Sequence, residues 1–351
     1  MDKLNVAIIG CGRISQVRHI PEYAANPDAR FAGFFDLNRS RAQSLAEQYG
    51  GVAYDSWQSV VGDSGVDAVS ICTTNATHAE IAQAALAAGK NVLLEKPMAT
   101  TLGECEALVD SAAHASGLLM LDHNQRFNKA HLMARDLYLA GTIGKLVGFR
   151  TTFGHGGPET WSVDPGPKTW FFDSKQTSMG AIGDLGVHKT DLLHFLTDEN
   201  VVGVMAKLAT LDKTDPAGRP IPVDDNAVAI YTLSNGAVGT MTASWSFHGA
   251  EDNSTVLYGQ RGIITIYGDP EFQVVVTKPG VDPEKHSVEP IQTNDNQTAS
   301  GVIDAFVQAV RQGQPSPVPA SEALMTMRAV FACQQSSRTG RAVEIPQNRK
   351  D

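Results

Sequence analysis

The chain has 351 residues, 42% hydrophobic and 19% charged, with a formal net charge of -10. That composition is globular, supports a sizeable core and suggests two domains. The acid excess, without a Lys/Arg block, argues against nucleic acid or an anionic membrane as partner. Four scattered cysteines (Cys11, Cys72, Cys105, Cys333) form no C-x-x-C pair, which predicts reduced thiols rather than a disulfide framework. No apolar run reaches the ~18 residues of a membrane helix. Leu4–Ile9 reads as a strand rather than a signal-peptide core, so a cytoplasmic location is expected.

The first strand runs into Gly10-Cys11-Gly12-Arg13-Ile14-Ser15, a G-x-G-x-x-S turn that opens a helix. Gly10 suits the tight turn, Gly12 lets the backbone approach a pyrophosphate, and Ser15 is small enough for close helix–strand packing. The helix N-terminus, with Arg13 and Ile14, would hold the anion. The next strand, Arg30–Phe35, ends at Asp36, close to the ~20-residue spacing of an acid that binds the adenosine ribose. This favours NAD, while Arg39 leaves room for the 2′-phosphate of NADP. The plainer alternative for Asp36 is a helix N-cap.

A helix over 40–49 stops at Gly50-Gly51, followed by a short strand over 52–54 and a buried strand over 66–72. Thr73-Thr74-Asn75-Ala76-Thr77-His78 leads into an Ala-rich helix closed by Gly89. Val92-Leu93-Leu94 then ends in Glu95-Lys96-Pro97. A lysine at the carboxyl end of a buried strand faces the ligand side of an open α/β sheet; the alternative is a surface pair with Glu95. Thr101-Leu102-Gly103-Glu104 is a capping box for a helix to about His114, and a strand follows over 118–121. Such alternation predicts a doubly wound parallel sheet. Thr73, Asn75, His78, Glu95, Lys96 and His123 fall at its carboxyl ends, facing a dinucleotide.

After Asp122 the rhythm changes. Asn124-Gln125-Arg126-Phe127 leads to a helix ending near Gly141. Longer strands follow over 145–154, 201–211, 227–233, 237–245, 254–258, 263–266 and 272–277, with Ser234-Asn235-Gly236 as a two-residue hairpin signal. Helices over 300–311 and 321–338 and a strand over 342–345 close the chain. The expected fold is therefore α/β plus α+β, with an N-terminal Rossmann domain over 1–122 and a C-terminal domain over 123–351 carrying an open, mostly antiparallel sheet. The last helix and strand are expected to pack back on the first domain. Loops 156–168 and 212–225 are rich in Pro, Gly and Asp. Trp161, Trp170, Phe171 and Phe172 suit either a sugar-stacking wall or core anchors.

Asp184-Leu185-Gly186-Val187-His188-Lys189-Thr190-Asp191 opens a helix that places Asp184, His188 and Asp191 on one face. A histidine between two carboxylates can take and return a proton near neutral pH. The alternatives are an N-capping Asp184 with a packed histidine, or a metal site that includes His194. His194 falls on another face, so no metal is expected.

Together these segments resemble the Gfo/Idh/MocA oxidoreductases, the family of glucose–fructose oxidoreductase and inositol dehydrogenase. The resemblance rests on the glycine turn, Asn75–His78 through Ala87–Val92, Glu95-Lys96-Pro97, Asn124–Phe127, Asp184–His188 and Ser337–Ile345. It implies an active-site lysine at Lys96, a substrate-binding acid at Asp184, a proton-transfer histidine at His188 and a cis Lys96–Pro97 bond. It also implies pairing through the C-terminal sheet into a homodimer or homotetramer. Ser178-Met179-Gly180-Ala181 departs from the consecutive glycines of many members. The expected activity is NAD-dependent oxidation of a ring hydroxyl on an unphosphorylated sugar, anhydrosugar or inositol. Asn124, Arg126, His155 and Trp170 are further candidates for substrate contact. Two alternatives stand: an enzyme that recycles tightly bound NAD(P), as a sugar–sugar oxidoreductase or NAD-dependent glycosidase, and a non-catalytic NAD-binding sensor. Intact Lys96, Asp184 and His188 argue against the sensor.

Overall fold

A computed structural model describes residues 2–290 and 297–346. Six apolar runs form one parallel sheet: β1 (Leu4–Ile9), β2 (Ala29–Phe35), β3 (Val52–Ala53), β4 (Ala68–Ile71), β5 (Asn91–Leu94) and β6 (Leu119–Leu121). Their order is β3-β2-β1-β4-β5-β6, the doubly wound arrangement with helices on both faces. Burial on both faces explains the near-continuous apolar strands. The crossover helices include α1 (Ile20–Ala25), α2 (Arg39–Tyr49), α3 (Trp57–Gly62), α4 (His78–Ala87) and α5 (Leu102–His114). Of these, α3 carries only one and a half turns, too short for an apolar period to show in the sequence. The capping box forms as expected: Thr101 accepts from the Glu104 N–H at 3.2 Å, and Glu104 accepts from the Thr101 N–H at 2.9 Å.

Helix α6 (Lys129–Leu139) leads into the second sheet. Its strands are β7 (Leu146–Gly154), β8 (Val201–Ala209), β9 (Asn226–Leu233), β10 (Val238–Ser244), β11 (Thr255–Gly259), β12 (Gly262–Ile266), β13 (Val274–Thr277), β14 (Glu284–His286) and β15 (Val343–Glu344). The order is β14-β13-β12-β11-β7-β10-β9-β8-β15, antiparallel except where β7 runs parallel to β10. The β9–β10 loop corrects one expectation. Thr232 pairs with Val238, and the Leu233 N–H donates to Ala237 O at 2.9 Å, so residues 234–236 form a three-residue loop. Gly236, at φ 87°, supplies the left-handed residue of such a loop.

One face of the second sheet is covered by helices α6, α8 (Val187–Thr197) and α10 (Ala320–Thr339), while α7 (Ser174–Thr177) lies in the loop region ahead of Asp184 and α9 (Val302–Gln312) packs on α1. Helix α10 packs on β8, α8 and α5, so the end of the chain bridges the two sheets, while β15 pairs with β8. Among the described residues no helix is long and apolar enough to cross a membrane.

Candidate active site

A cleft of about 830 Å³ runs along the carboxyl ends of β1, β2, β4, β5 and β6 and is closed on its far side by the second sheet's loops. At one end stands the glycine turn. Gly10 has φ 93°, and a Cβ there would lie 2.6 Å from the Cys72 carbonyl, so only glycine fits. Nothing lies within 4 Å of the place a Cβ on Gly12 would take, so its backbone is open to the cleft. Ser15 closes the turn by donating to Gly12 O at 2.8 Å. Asp36 is anchored by two backbone donors, Cys11 N–H and Asn38 N–H, both at 2.7 Å. The N-cap of α2 is Asn38, which accepts from Arg41 N–H at 3.3 Å, so Asp36 is not the cap.

Arg39 does not stand where a 2′-phosphate would lie. It pairs with Asp55, both about 70% exposed, and stands away from the cleft. Arg41 lines the cleft instead, 3.5 Å from Asp36 and 3.4 Å from Asp164 of the opposing loop. Two residues along a helix turn the side chain by about 200°, and the spacing from Asp36 did not say which arginine would face inward.

At the other end, the Lys96 ammonium donates to Asp184 Oδ1 at 2.7 Å and to Asp184 O at 3.1 Å. Trp245 Nε1–H donates to Asp184 Oδ2 at 3.0 Å. Glu95 accepts from the Lys96 backbone N–H at 3.1 Å, so the surface Lys96–Glu95 pair is absent. The Lys96–Pro97 peptide is cis. Behind it, Glu95 and Asp122 share Arg18 at 3.4 and 3.1 Å and His19 at 3.1 and 3.2 Å. His19, Glu95 and Asp122 lie close enough together to suggest metal ligands, but the buried Arg18 guanidinium already supplies the positive charge. Burial disfavours the His19 imidazolium, yet Cys72 and the hydrogen bonds with Asp122 and Glu95 raise its pKa well above the ordinary value.

The segment around Asp184 is not a regular helix. Residues Ile182–Gly186 form a π-turn that runs into α8, a local irregularity common at functional sites. Asp184 and His188 both line the cleft, but the expected flank of two carboxylates around His188 is not formed, because each acid takes a cation: Asp184 pairs with Lys96. Asp191 turns instead to Arg126, which donates to its two oxygens at 2.8 and 2.7 Å. His188 therefore has no carboxylate partner; its Nδ1 is buried without a hydrogen bond among the described residues. Burial, then the Lys96 charge, lower the His188 pKa well below the usual histidine value, so the ring is neutral at neutral pH. Burial alone would raise the Asp184 pKa, but the Lys96 charge, with the hydrogen bonds from Lys96 and Trp245, outweighs it and holds the carboxyl below its usual range. The turn before Asp184 is clamped by Asp224, which accepts from Gly180 N–H at 3.0 Å and Ile182 N–H at 2.8 Å. A Cβ on Gly180 would lie 1.7 Å from Asp224 O, so this one glycine of the departing Ser178–Ala181 stretch is required.

Of the sequence candidates, Gly10, Gly12, Arg13, Ile14, Asp36, Thr73, Asn75, Glu95, Lys96, Asn124, His155, Trp170, Asp184 and His188 all line this one cleft. Besides Arg39, three do not. His78 is buried and bonds Pro97 O at 2.8 Å and Thr73 O at 3.1 Å, so it braces the strand ends rather than facing a ligand. His123 is buried 3.6 Å from Asp191. Arg126 is held by Asp191 and Glu322. Their polarity at strand ends suggested ligand contact, but His78 and Arg126 are satisfied by protein, and His123 is buried with its Nδ1 lacking a hydrogen bond among the described residues. Trp245, Phe153, Gln125 and Arg41 were not singled out from the sequence. Only Trp245 left a signal, as an aromatic with a donor at a strand end.

The cleft suits a dinucleotide at the glycine end: an open Gly12 backbone, a fixed Asp36 carboxylate, and at the far end the orphaned buried atoms His188 Nδ1 and Asn124 Oδ1. The family model described as "Oxidoreductase family, NAD-binding Rossmann fold" matches residues 4–123, and the "GFO/IDH/MocA C-terminal domain" matches 131–265. The chain is 31% identical over 291 residues to a levoglucosan dehydrogenase from Pseudarthrobacter phenanthrenivorans, covering 75% of this chain and 73% of that one. It is 25% identical to a myo-inositol 2-dehydrogenase from Thermotoga maritima, over 97% and 98% of the two chains. A solved levoglucosan dehydrogenase in complex with NADH and levoglucosan superimposes with a TM-score of 0.87 at 26% identity, covering 99% of this chain and 100% of that one.

Proposed function

Because the chain belongs to the GFO/IDH/MocA oxidoreductases and carries their NAD-binding Rossmann fold, we propose that it is a dehydrogenase acting on a ring hydroxyl of an unphosphorylated sugar, anhydrosugar or inositol. The observation that carries this reading is the Lys96–Asp184 pair beside a neutral, buried His188, in the same cleft as the glycine turn. Gly10, Gly12, Asp36 and Thr73 would hold NAD, which would supply the hydride acceptor. Residues 1–122 would hold this cofactor and residues 123–351 most of the substrate.

His188 takes the hydroxyl proton on its free imidazole nitrogen, a role that requires the neutral ring. Lys96 has three ammonium donors. Two are engaged by Asp184, which leaves the third for the substrate oxygen as negative charge develops on it. Each Asp184 oxygen already accepts one bond, from Lys96 or Trp245, and keeps a lone pair for a neighbouring ring hydroxyl. That fixes the ring in the near-attack geometry hydride transfer requires. Asn124 and His155 complete the wall around the reacting ring. Lys96 is already matched by Asp184 and the two histidines are neutral, so these groups offer a phosphate no unmatched positive charge.

The test is an NADH absorbance screen of inositols, aldoses and anhydrosugars with NAD and NADP in parallel. Steady NADH formation that disappears in His188→Ala is expected; full turnover in that variant overturns the assignment. A second reading, with cofactor retained between turnovers, draws on the Arg41–Asp164 pair across the cleft mouth. It predicts product without net NADH.

The outer face of the second sheet exposes Val147, Met205, Val228, Ile230 and Val238. Met205 and Ile230 pair across β8 and β9, which makes the patch continuous. Such a face marks a protein interface, and pairing of two chains through it gives a homodimer, or a homotetramer if a second interface adds. Light scattering on Ile230→Asp checks this, with a shift towards monomer expected.

A further inference from the structure

The cleft is longer than the reacting groups need. Two aromatic tracks lead outward from them. One starts at His188 and passes to Phe153 at 6.0 Å, His155 at 5.8 Å and Trp161 at 6.0 Å between ring centroids. The other starts at Asp184, passes through the Trp245 donor to Phe171 at 6.2 Å, and ends at Trp170, stacked on Phe171 at 3.9 Å. An edge-on contact between Trp161 and Phe171, 5.2 Å apart, joins the two tracks.

The inner and outer rings differ in burial. Trp245 and Phe153 are buried and serve as packing. Trp161, Trp170 and Phe171 are half-buried and line the cleft. Large, partly exposed aromatic faces in a concave site provide apolar contact at little entropic cost. Nothing in the proton-transfer chemistry uses Trp161 or Trp170. Each is separated from the reacting groups by at least one ring, so a single pyranose bound at Lys96, Asp184 and His188 meets the inner part of the wall and leaves these two uncovered.

The outer wall is also built in advance. Lys213, itself buried, donates to Glu159 at 2.6 Å and to Gly156 O at 2.7 Å, and Gly166 N–H donates to Glu159 O at 2.8 Å. These bonds fix the loop that carries Trp161. Lys168 and Asp173 line the cleft beside Trp170 and supply polar groups for hydroxyls.

We infer that Trp161 and Trp170 form an outer subsite for the part of the substrate beyond the oxidised ring, so that the preferred substrate is a glycoside carrying a second sugar ring or an apolar aglycone. This deepens the dehydrogenase reading above and rests on it. The aromatic faces stack on the apolar face of the second unit, and the polar rim meets its hydroxyls.

The test compares glucose, galactose and mannose with their aryl glycosides and disaccharides. Turnover is measured with NAD, and binding by calorimetry on NADH-saturated enzyme. The extended compounds are expected to show kcat/KM and affinity about tenfold above the free sugars. Trp161→Ala and Trp170→Ala reduce that ratio towards one, and Trp170→Phe restores most of it, which separates a stacking role from a folding defect. Equal kcat/KM and affinity for free and extended sugars overturn the subsite, as does equal loss for both classes in the alanine variants. Tighter binding of extended compounds without turnover of any carbohydrate keeps the subsite and overturns the dehydrogenase reading; turnover without preference overturns the subsite alone.

Discussion

The helical segment over 182–197 carries two carboxylates, and each has taken a cation. Asp184 meets Lys96 and Asp191 meets Arg126, in both cases 2.7 Å apart. The Lys96 and Asp184 side chains keep 15% and 7% of their surface and border the cleft; Arg126 and Asp191 keep 6% and 2% and lie behind it. Arginine offers a planar fork that satisfies both oxygens of one acid at once, a structural joint. Lysine offers a compact charge with a donor to spare, which suits a group that must also meet a reacting oxygen. The same chemistry of opposite charges therefore serves two ends, and the choice of cation and the access to solvent decide which.

Mutation should separate the two pairs. The largest effect expected is on turnover: His188→Ala lowers kcat by about 10²–10⁴-fold and Lys96→Met by about 10²–10³-fold, with NADH affinity by fluorescence titration little changed. Arg126→Met should do the reverse. It strands Asp191 as a buried, uncompensated charge and costs about 3–5 kcal/mol in urea unfolding, while kcat/KM per folded molecule falls far less than in Lys96→Met. If Arg126→Met silences the enzyme without loss of stability, the contrast between joint and reacting pair is wrong.

Acidity sharpens the comparison further. Burial and Lys96 depress the His188 pKa, so the base remains unprotonated as pH falls through the ordinary histidine value of about 6.5. The kcat/KM for oxidation should stay level there and decline only at lower pH. An acid limb centred at or above that value would contradict a neutral His188.

A smaller effect concerns its neighbour. Lys189 is fully buried and donates to Asn253 O at 2.9 Å, Asn253 Oδ1 at 2.7 Å and Thr255 at 3.3 Å. Burial lowers its pKa to about 7. Between that value and the unfolded lysine value of about 10.4, the unfolded chain binds more protons than the folded one, so stability rises with pH across the window. Chemical denaturation of Lys189→Met should show that slope diminished.

Legibility followed the same divide between local and distant. The glycine turn, Asp36, the Glu95-Lys96-Pro97 strand end and the parallel sheet were readable because each is written in a few adjacent residues with a fixed period or spacing. His188 was readable as a residue type, but its environment was not. Lys96 and Arg126 take the two carboxylates expected to flank it, and nothing in the spacing of Asp184, His188 and Asp191 announces those distant partners. Arg41 was missed for Arg39 because the two differ only in helix phase, which the position of the Asn38 cap decides. The aromatic wall depends on contacts between loops distant in sequence, with Phe171 meeting Trp245 and Lys213 holding Gly156 across 57 residues. Such contacts are set by tertiary packing and leave no local pattern.

The first sheet ends at β6, and the Leu121 N–H on that edge donates to the carbonyl of Val318 at 3.1 Å, just ahead of α10. An uncovered strand edge is a template for pairing with other chains. At the usual rates of synthesis, the roughly two hundred residues between these partners take about 10–40 s to emerge. For that interval the nascent first sheet has an open edge, and it is then that a growing chain is most exposed to aggregation and to capture by chaperones.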